Sequence, residues 1–217
     1  MATVRSATEI EYPESDGKPM GETDLHRDWM IRILEILRYR YREQKAYVAS
    51  DLLVYYEEGR PSKCVVPDVF IALERESSRR RTYKTWEEGK PPDVVFEITS
   101  RSTSREDSVF KVMTYERIGV RELFLYDPSA DYLEPPLQGY RILEDGGYAP
   151  IHRVDGKLRS EVLGVDLHLM NIELVVTDLS SGRPCLTRAD AEQEARLAAE
   201  AKIRELQAEL DRLRRGD

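Results

Sequence analysis

The chain has 217 residues, enough for one domain of ordinary size whose core needs no disulfide or structural metal. Its formal net charge of −8 excludes a protein that coats nucleic acid through bulk charge, but not an enzyme that grips DNA through a local basic groove. Two distant cysteines, Cys64 and Cys185, and three histidines without ligand spacing, His26, His152 and His168, argue against a zinc site and for ordinary thiols in a reducing compartment.

In chain order, residues 1–21 read as an extended segment broken by Pro13, Gly17, Pro19 and Gly21. It lacks the apolar core of a signal peptide, and no run in the chain approaches the ~20 apolar residues that span a bilayer. A soluble cytoplasmic protein is expected, with no membrane partner. Residues 22–185 read as one folded domain. It opens with a helix from Thr23 to Gln44, capped by Thr23 or Asp24, whose inner face carries Leu25, Trp29, Met30, Ile33, Leu34 and Leu37. Strand signals follow at Tyr47–Tyr56, Cys64–Leu73 and Asp93–Thr99, with a polar, arginine-rich loop from Glu74 to Pro92 between the last two.

Ser104–Ile118 has helical periodicity and meets Gly119 where a C-terminal cap belongs. Val109, Phe110, Val112, Met113 and Ile118 form the face expected to pack on the sheet. Asp107, Lys111 and Tyr115, at i, i+4 and i+8, form a polar stripe, with Lys111 at the border between the two. Glu122–Tyr126 is another strand, ended by Asp127-Pro128. Tyr140–Leu143 and Tyr148–Arg153 flank the turn Glu144-Asp145-Gly146-Gly147, and Val165–Leu169 and Ile172–Val176 read as further edge strands. Residues 186–217 read as a C-terminal helix. There Ile203, Leu206, Leu210 and Leu213 are spaced 3-4-3, as the a and d positions of a coiled coil are. The apolar stripe needs a cover, either a second helix or the domain itself.

The chemistry concentrates in two apolar runs, Val65-Val66-Pro67-Asp68-Val69-Phe70-Ile71 and Asp93-Val94-Val95-Phe96-Glu97-Ile98. Each carries a carboxylate inside a strand-like segment, where an unpaired acid costs several kcal/mol, on the order of the usual burial penalty. Adjacent strands would bring Asp68 and Glu97 together, and like charges need a cation between them. Mg²⁺ prefers oxygen ligands and keeps several waters, so two carboxylates and a backbone carbonyl suffice. The carbonyl of Ile98 is the natural third ligand. The rival reading has Asp68 opening a turn after Pro67 and Glu97 paired with an arginine. For Lys111 the alternatives are a group that orients the attacking water or offsets phosphate charge, and a surface pair with Asp107.

These residues carry a resemblance. Pro67-Asp68, Pro91-Pro92, Glu97-Ile98-Thr99-Ser100, Ser102-Thr103, Asp107, Lys111, Tyr115, Gly119-Val120-Arg121-Glu122 and Tyr126-Asp127-Pro128 together resemble the Uma-two family of restriction endonucleases, within the PD-(D/E)XK nuclease superfamily. The resemblance covers most of residues 20–175. It implies a restriction-endonuclease-like α/β fold: a mixed central sheet flanked by helices, with added β-hairpins and a long C-terminal helix. It implies a Mg²⁺-dependent endonuclease, with Mn²⁺ as substitute, cutting DNA. Two residues after Glu97, where many such nucleases keep lysine, this chain has Thr99, and the resemblance implies that the lysine has moved to the following helix as Lys111. Related nucleases often add an acid from the first helix, so Glu22, Asp24 and His26 are supporting candidates beside Asp107 and Tyr115, although a cap and a solvated first turn is the plainer reading of that segment.

Asp51, expected in the strand before Asp68, is either a supporting group or a polar edge residue. Arg101 and Arg105 flank the loop after Glu97 and are candidates for nucleic-acid contact. The run Arg79-Arg80-Arg81, with Tyr83, Lys84 and Trp86, is either a second contact or a solvated charge run. A homodimer, through the nuclease domain or the C-terminal helix, suits an enzyme that cuts both strands of a duplex. The rival from another class is a catalytically weak nuclease fold whose C-terminal helix is the working part. The two readings separate on whether Asp68, Glu97 and Lys111 converge within about 6 Å.

Overall fold

The computed structural model describes residues 10–13, 23–99 and 105–215. The first helix, α1 (Asp24–Arg40), is capped by Thr23, whose hydroxyl accepts from His26 N, and ends with Arg38 and Arg40 in its last turn, where cations suit the helix dipole. The inner face differs from the expected one. Ile33, Ile36 and Leu37 are buried with His26, Trp29, Met30 and Leu34 are half-buried, and Leu25 is exposed.

Breaks in the strands follow from single residues. The run predicted from Tyr47 to Tyr56 divides into β1 (Ala46–Ser50) and β2 (Val54–Tyr55), because Asp51 turns the chain with a positive φ of 49°. Asp51 therefore sits in a corner, its N–H directed at the carbonyls of Pro67 and Asp68, and not inside a strand. The Cys64–Leu73 run likewise divides into β3 (Cys64–Val65) and β4 (Val69–Leu73) around Pro67, which has no N–H for a ladder. The expected loop 74–92 contains a short strand, β5 (Tyr83–Lys84), and one helical turn, α2 (Thr85–Glu88). Next come β6 (Val94–Ile98), α3 (Arg105–Ile118) closed by Gly119 at φ 84°, and β7 (Glu122–Tyr126).

The remaining strands are β8 (Leu137–Ile142), β9 (Tyr148–Pro150), β10 (Leu158–Ser160), β11 (Val165–Met170) and β12 (Glu173–Asp178), before the long α4 (Arg188–Arg215). The central sheet has six strands in the order β1-β4-β6-β7-β8-β9, antiparallel except for the parallel β6–β7 pair that α3 connects. β10, β11 and β12 form a separate antiparallel sheet and are not edges of the central one. A third small sheet joins β3, β2 and β5.

Strand alternation sorts the core into two layers. Val69 and Ile71 of β4 and Val94, Phe96 and Ile98 of β6 face α1 and the β10–β12 sheet. Phe70 and Ala72 of β4 and Val95 of β6 face the other way, with Tyr115 of α3. Every residue of β6 is buried, which explains its unbroken apolar run and makes its one carboxylate conspicuous.

Candidate active site

The register of two central strands brings the acids together. β4 and β6 pair Val69 with Phe96, so one further antiparallel step sets Asp68 across from Glu97. Both have the parity of Phe70 and Val95, and so point to the α3 side. Asp68 is the residue just before β4, at the break that Pro67 makes, and not inside the strand as the sequence suggested. Its Oδ2 accepts from the backbone N–H of Ile98 at 2.7 Å, which ties the two strand ends together.

α3 supplies the partners of Glu97. Lys111 Nζ lies 2.7 Å from Glu97 Oε2 and 3.9 Å from Asp68 Oδ1. One turn on, the hydroxyl of Tyr115 donates to Glu97 Oε1 at 2.5 Å. Each carboxylate oxygen of Glu97 thus has a donor, and its cationic partner is Lys111 and not the arginine of the rival reading. Burial pushes the Glu97 carboxyl up, to about 7; Asp68 adds to the rise, while Lys111 and Tyr115 oppose it. Tyr115, wholly buried and facing that carboxylate, has its phenol raised well above the usual value, chiefly by burial.

This geometry turns the expected faces of α3 in part: Val112 and Ile118 pack against the core as expected, and the other three apolar residues do not. Thr114 and Tyr115 are buried and Lys111 is half-buried against the sheet, while Val109, Phe110 and Met113 are 54%, 53% and 62% exposed. A helix over one buried and one half-buried carboxylate must offer them donors, and meeting that demand outweighs burying three apolar side chains.

From the other layer, His26 is buried at the start of α1 with Nε2 3.6 Å from Asp68 Oδ2, which places this supporting candidate beside Asp68. Asp24, by contrast, is exposed and bound to Arg27 on the helix surface. Glu22 and Arg101, and the side chains of Arg105 and Asp107, lie outside the described residues. In the basic run, Arg80 is engaged within the fold. It binds Glu88 at 2.5 and 3.0 Å and lies 3.9 Å from the centre of the Tyr47 ring. Arg79 and Arg81 are exposed, and Arg79 lines a groove along β1 with Arg38 and Arg42.

Carboxylates in strands are not by themselves a signature of the site. Glu122 in β7 is wholly buried, yet its oxygens are taken by Arg141, Ser160 and the N–H of Glu161. Asp93 is tied to Leu73 N, Lys90 and Arg121. What distinguishes Asp68 and Glu97 is that they face each other around a single ammonium group. The donors on offer, the two carboxylates and the backbone carbonyl of Ile98 next to Glu97 in the chain, are all oxygen, and Lys111 Nζ stands between the carboxylates. Such a donor set suits a hard divalent cation that keeps most of its waters. No group of three or more His, Cys, Asp and Glu side chains forms a metal cage among the described residues.

The profile of the Uma2 family, described as "Putative restriction endonuclease", matches residues 4–167. The chain belongs to the Uma2 family. Among solved structures, a crystal structure from Anabaena variabilis titled "a putative nuclease" is similar at 16% identity, with a TM-score of 0.50 over 69% of this chain and 81% of that one. At that identity the likeness speaks for the fold, the mixed sheet with flanking helices expected of a Uma2 member. No curated protein is significantly similar to the chain. None of the helices among the described residues is long and apolar enough to cross a membrane.

Proposed function

We propose that this Uma2 chain is a Mg²⁺-dependent endonuclease that hydrolyses phosphodiester bonds in DNA. The observation that carries the reading is the meeting of Asp68, Glu97 and Lys111, with Nζ 2.7 and 3.9 Å from the two carboxylates, inside the span expected of a working site and contrary to a lysine facing solvent. Asp68 and Glu97 would hold the cation with the Ile98 carbonyl. When bound, it would polarise the phosphate and lower the pKa of an attached water, so that the water gives up a proton and supplies hydroxide as the nucleophile.

The chain's own groups have separable tasks. Tyr115 holds one oxygen of Glu97 and leaves the other directed at Lys111 and Asp68. The N–H of Ile98 fixes the rotation of the Asp68 carboxylate, and His26 backs it from α1. Lys111, as an ammonium ion, donates hydrogen bonds and cannot accept a proton. Its task is to orient the nucleophilic water or to offset charge on the phosphate as the bond to the leaving oxygen breaks. A preference for DNA rests on the family's description, and the charge of −8 confines phosphate contacts to local basic groups.

Cleavage of supercoiled plasmid and of matched RNA, with Mg²⁺ and with chelator, tests this. Wild type should nick the plasmid only with the cation. Asp68→Ala should lose the activity, and Lys111→Ala should lower it by about 10²-fold or more, the scale of lost transition-state help. Lys111 also offsets charge on buried Glu97, so rates are compared at a temperature where both proteins are folded. Equal cleavage by Asp68→Ala would refute the proposal, and cleavage of RNA alone would move it to another substrate.

A further inference from the structure

Among the described residues, α4 is anchored to the domain only at its start. Thr187 Oγ1 accepts from Asp190 N at 3.1 Å, Asp190 Oδ2 accepts from Thr187 N at 3.2 Å, and Arg32 of α1 reaches Asp190 at 3.6 Å. From residue 192 to residue 214 every side chain is exposed, so the rest of the described chain does not cover this helix. Ile203, Leu206, Leu210 and Leu213 are 54%, 46%, 53% and 69% exposed. They form one stripe, because alternating steps of three and four average the 3.5-residue turn of a coiled coil. One four-residue step toward the N-terminus carries it to Ala199 at d, and the a position before that is Arg196, so the apolar stripe is confined to the last part of the helix.

The phase of that stripe fixes the other positions. With Ile203 and Leu210 at a and Leu206 and Leu213 at d, Glu209 falls at g and Arg214 at e of the next heptad. In a parallel, in-register pair the g residue of one helix meets that e residue of the other. Glu209 would therefore face Arg214 across the seam, twice by symmetry, while Lys202 at g would face the neutral Gln207. A β-branched residue at a with leucine at d favours two parallel strands. The outward positions carry Arg204, Glu205, Ala208, Asp211 and Arg212, as a solvated face should.

We propose that α4 pairs with α4 of a second copy of this chain as a parallel, in-register, two-stranded coiled coil. Such pairing sets both folded domains at one end of the coil about a two-fold axis. The inference stands on α4 alone. If the domain is also the nuclease proposed above, two sites so related match the two strands of a duplex.

Sedimentation equilibrium of the full chain across the micromolar range tests it without reference to activity. Wild type should sediment as a dimer that dissociates on dilution. Leu206→Glu with Leu210→Glu, both on the uncovered helix, should raise the dissociation constant more than about 100-fold while the domain's melting temperature holds. Glu209→Arg or Arg214→Glu alone should weaken pairing, and the two together should restore it. A wild-type monomer throughout, or a dimer indifferent to the leucine changes, would overturn the proposal. Charge reversals without effect, or without mutual rescue, would overturn its parallel register.

Discussion

At the scale of single residues, Glu97 is the most informative group. Its folded pKa is pushed above the ordinary value, mainly by burial. Between about pH 4.3 and pH 7 the unfolded chain has released this proton while the folded chain keeps it. The unfolded state thus binds fewer protons, and stability falls as pH rises through that window, the full cost being present above it. Glu97→Gln keeps the shape and removes the charge. In the presence of chelator the variant should be more stable than wild type at pH 8, by on the order of 1–3 kcal/mol, and the advantage should vanish near pH 4. Thermal melts across pH measure this. A variant less stable than wild type at pH 8 would mean that Lys111 and Tyr115 outweigh the cost of burial. A residue kept at the expense of stability is what a functional carboxylate looks like.

Sequence reasoning singled out Asp68, Glu97 and Lys111, which the fold brings together, because each is chemically out of place or positioned by spacing. It could not see that Glu122, an acid in an equally apolar strand, belongs to a structural cluster with Arg141 and Ser160. Ser160 lies 38 residues away in a strand of another sheet, and no local pattern announces it.

Among the elements, boundaries were legible where a single residue type dictates them. Gly119 ends α3 where the sequence placed its cap, and the unbroken apolar run of β6 reads as a strand covered on both faces, whereas the break at Pro67 lay inside a run that read as one strand. The orientation of α3 was not legible, since apolar spacing favoured Val109, Phe110 and Met113 inward and only the placement of two carboxylates beneath the helix decides otherwise.

The docking of the β10–β12 sheet was equally hidden. It depends on the end of α1, where Arg40 binds Asp178 at 2.5 Å and the carbonyls of Leu163 and Gly164 at 3.2 and 3.3 Å, beside Tyr41 bonded to Leu163. Hydrogen bonds from Ser180, Arg40 and Ser181 hold the Asp178 carboxyl below the usual carboxylate range. A lowered pKa contributes stability above the unfolded value of about 3.9, and that contribution is lost as pH falls through the folded value. Asp178→Asn should therefore cost about 1–2 kcal/mol at pH 7, the scale of a partly exposed charged hydrogen bond, with the difference narrowing below pH 4. Denaturant melts at both pH values check this, and an equal loss at pH 3 would assign the effect to packing.

The whole molecule joins a family fold to a site that the family's description does not specify. Six strands fix the distance between the ends of β4 and β6, α3 sets a lysine and a tyrosine over the gap, and α1 places His26 behind it. The pattern of acids and lysine carried the site, and helix periodicity carried α4. The separate sheet and the pairing of Arg40 with Asp178 depended on contacts between residues more than a hundred positions apart.

The central claim is that Asp68 and Glu97 hold one divalent cation, and calorimetric titration with Mn²⁺ reaches it without knowledge of any cleavage sequence. Wild type should bind one ion per chain, more tightly at pH 8 than at pH 6 because the ion displaces the proton of Glu97. Asp68→Ala and Glu97→Ala should each abolish the binding. Unchanged Mn²⁺ binding in both variants, or none in the wild type, would contradict the account.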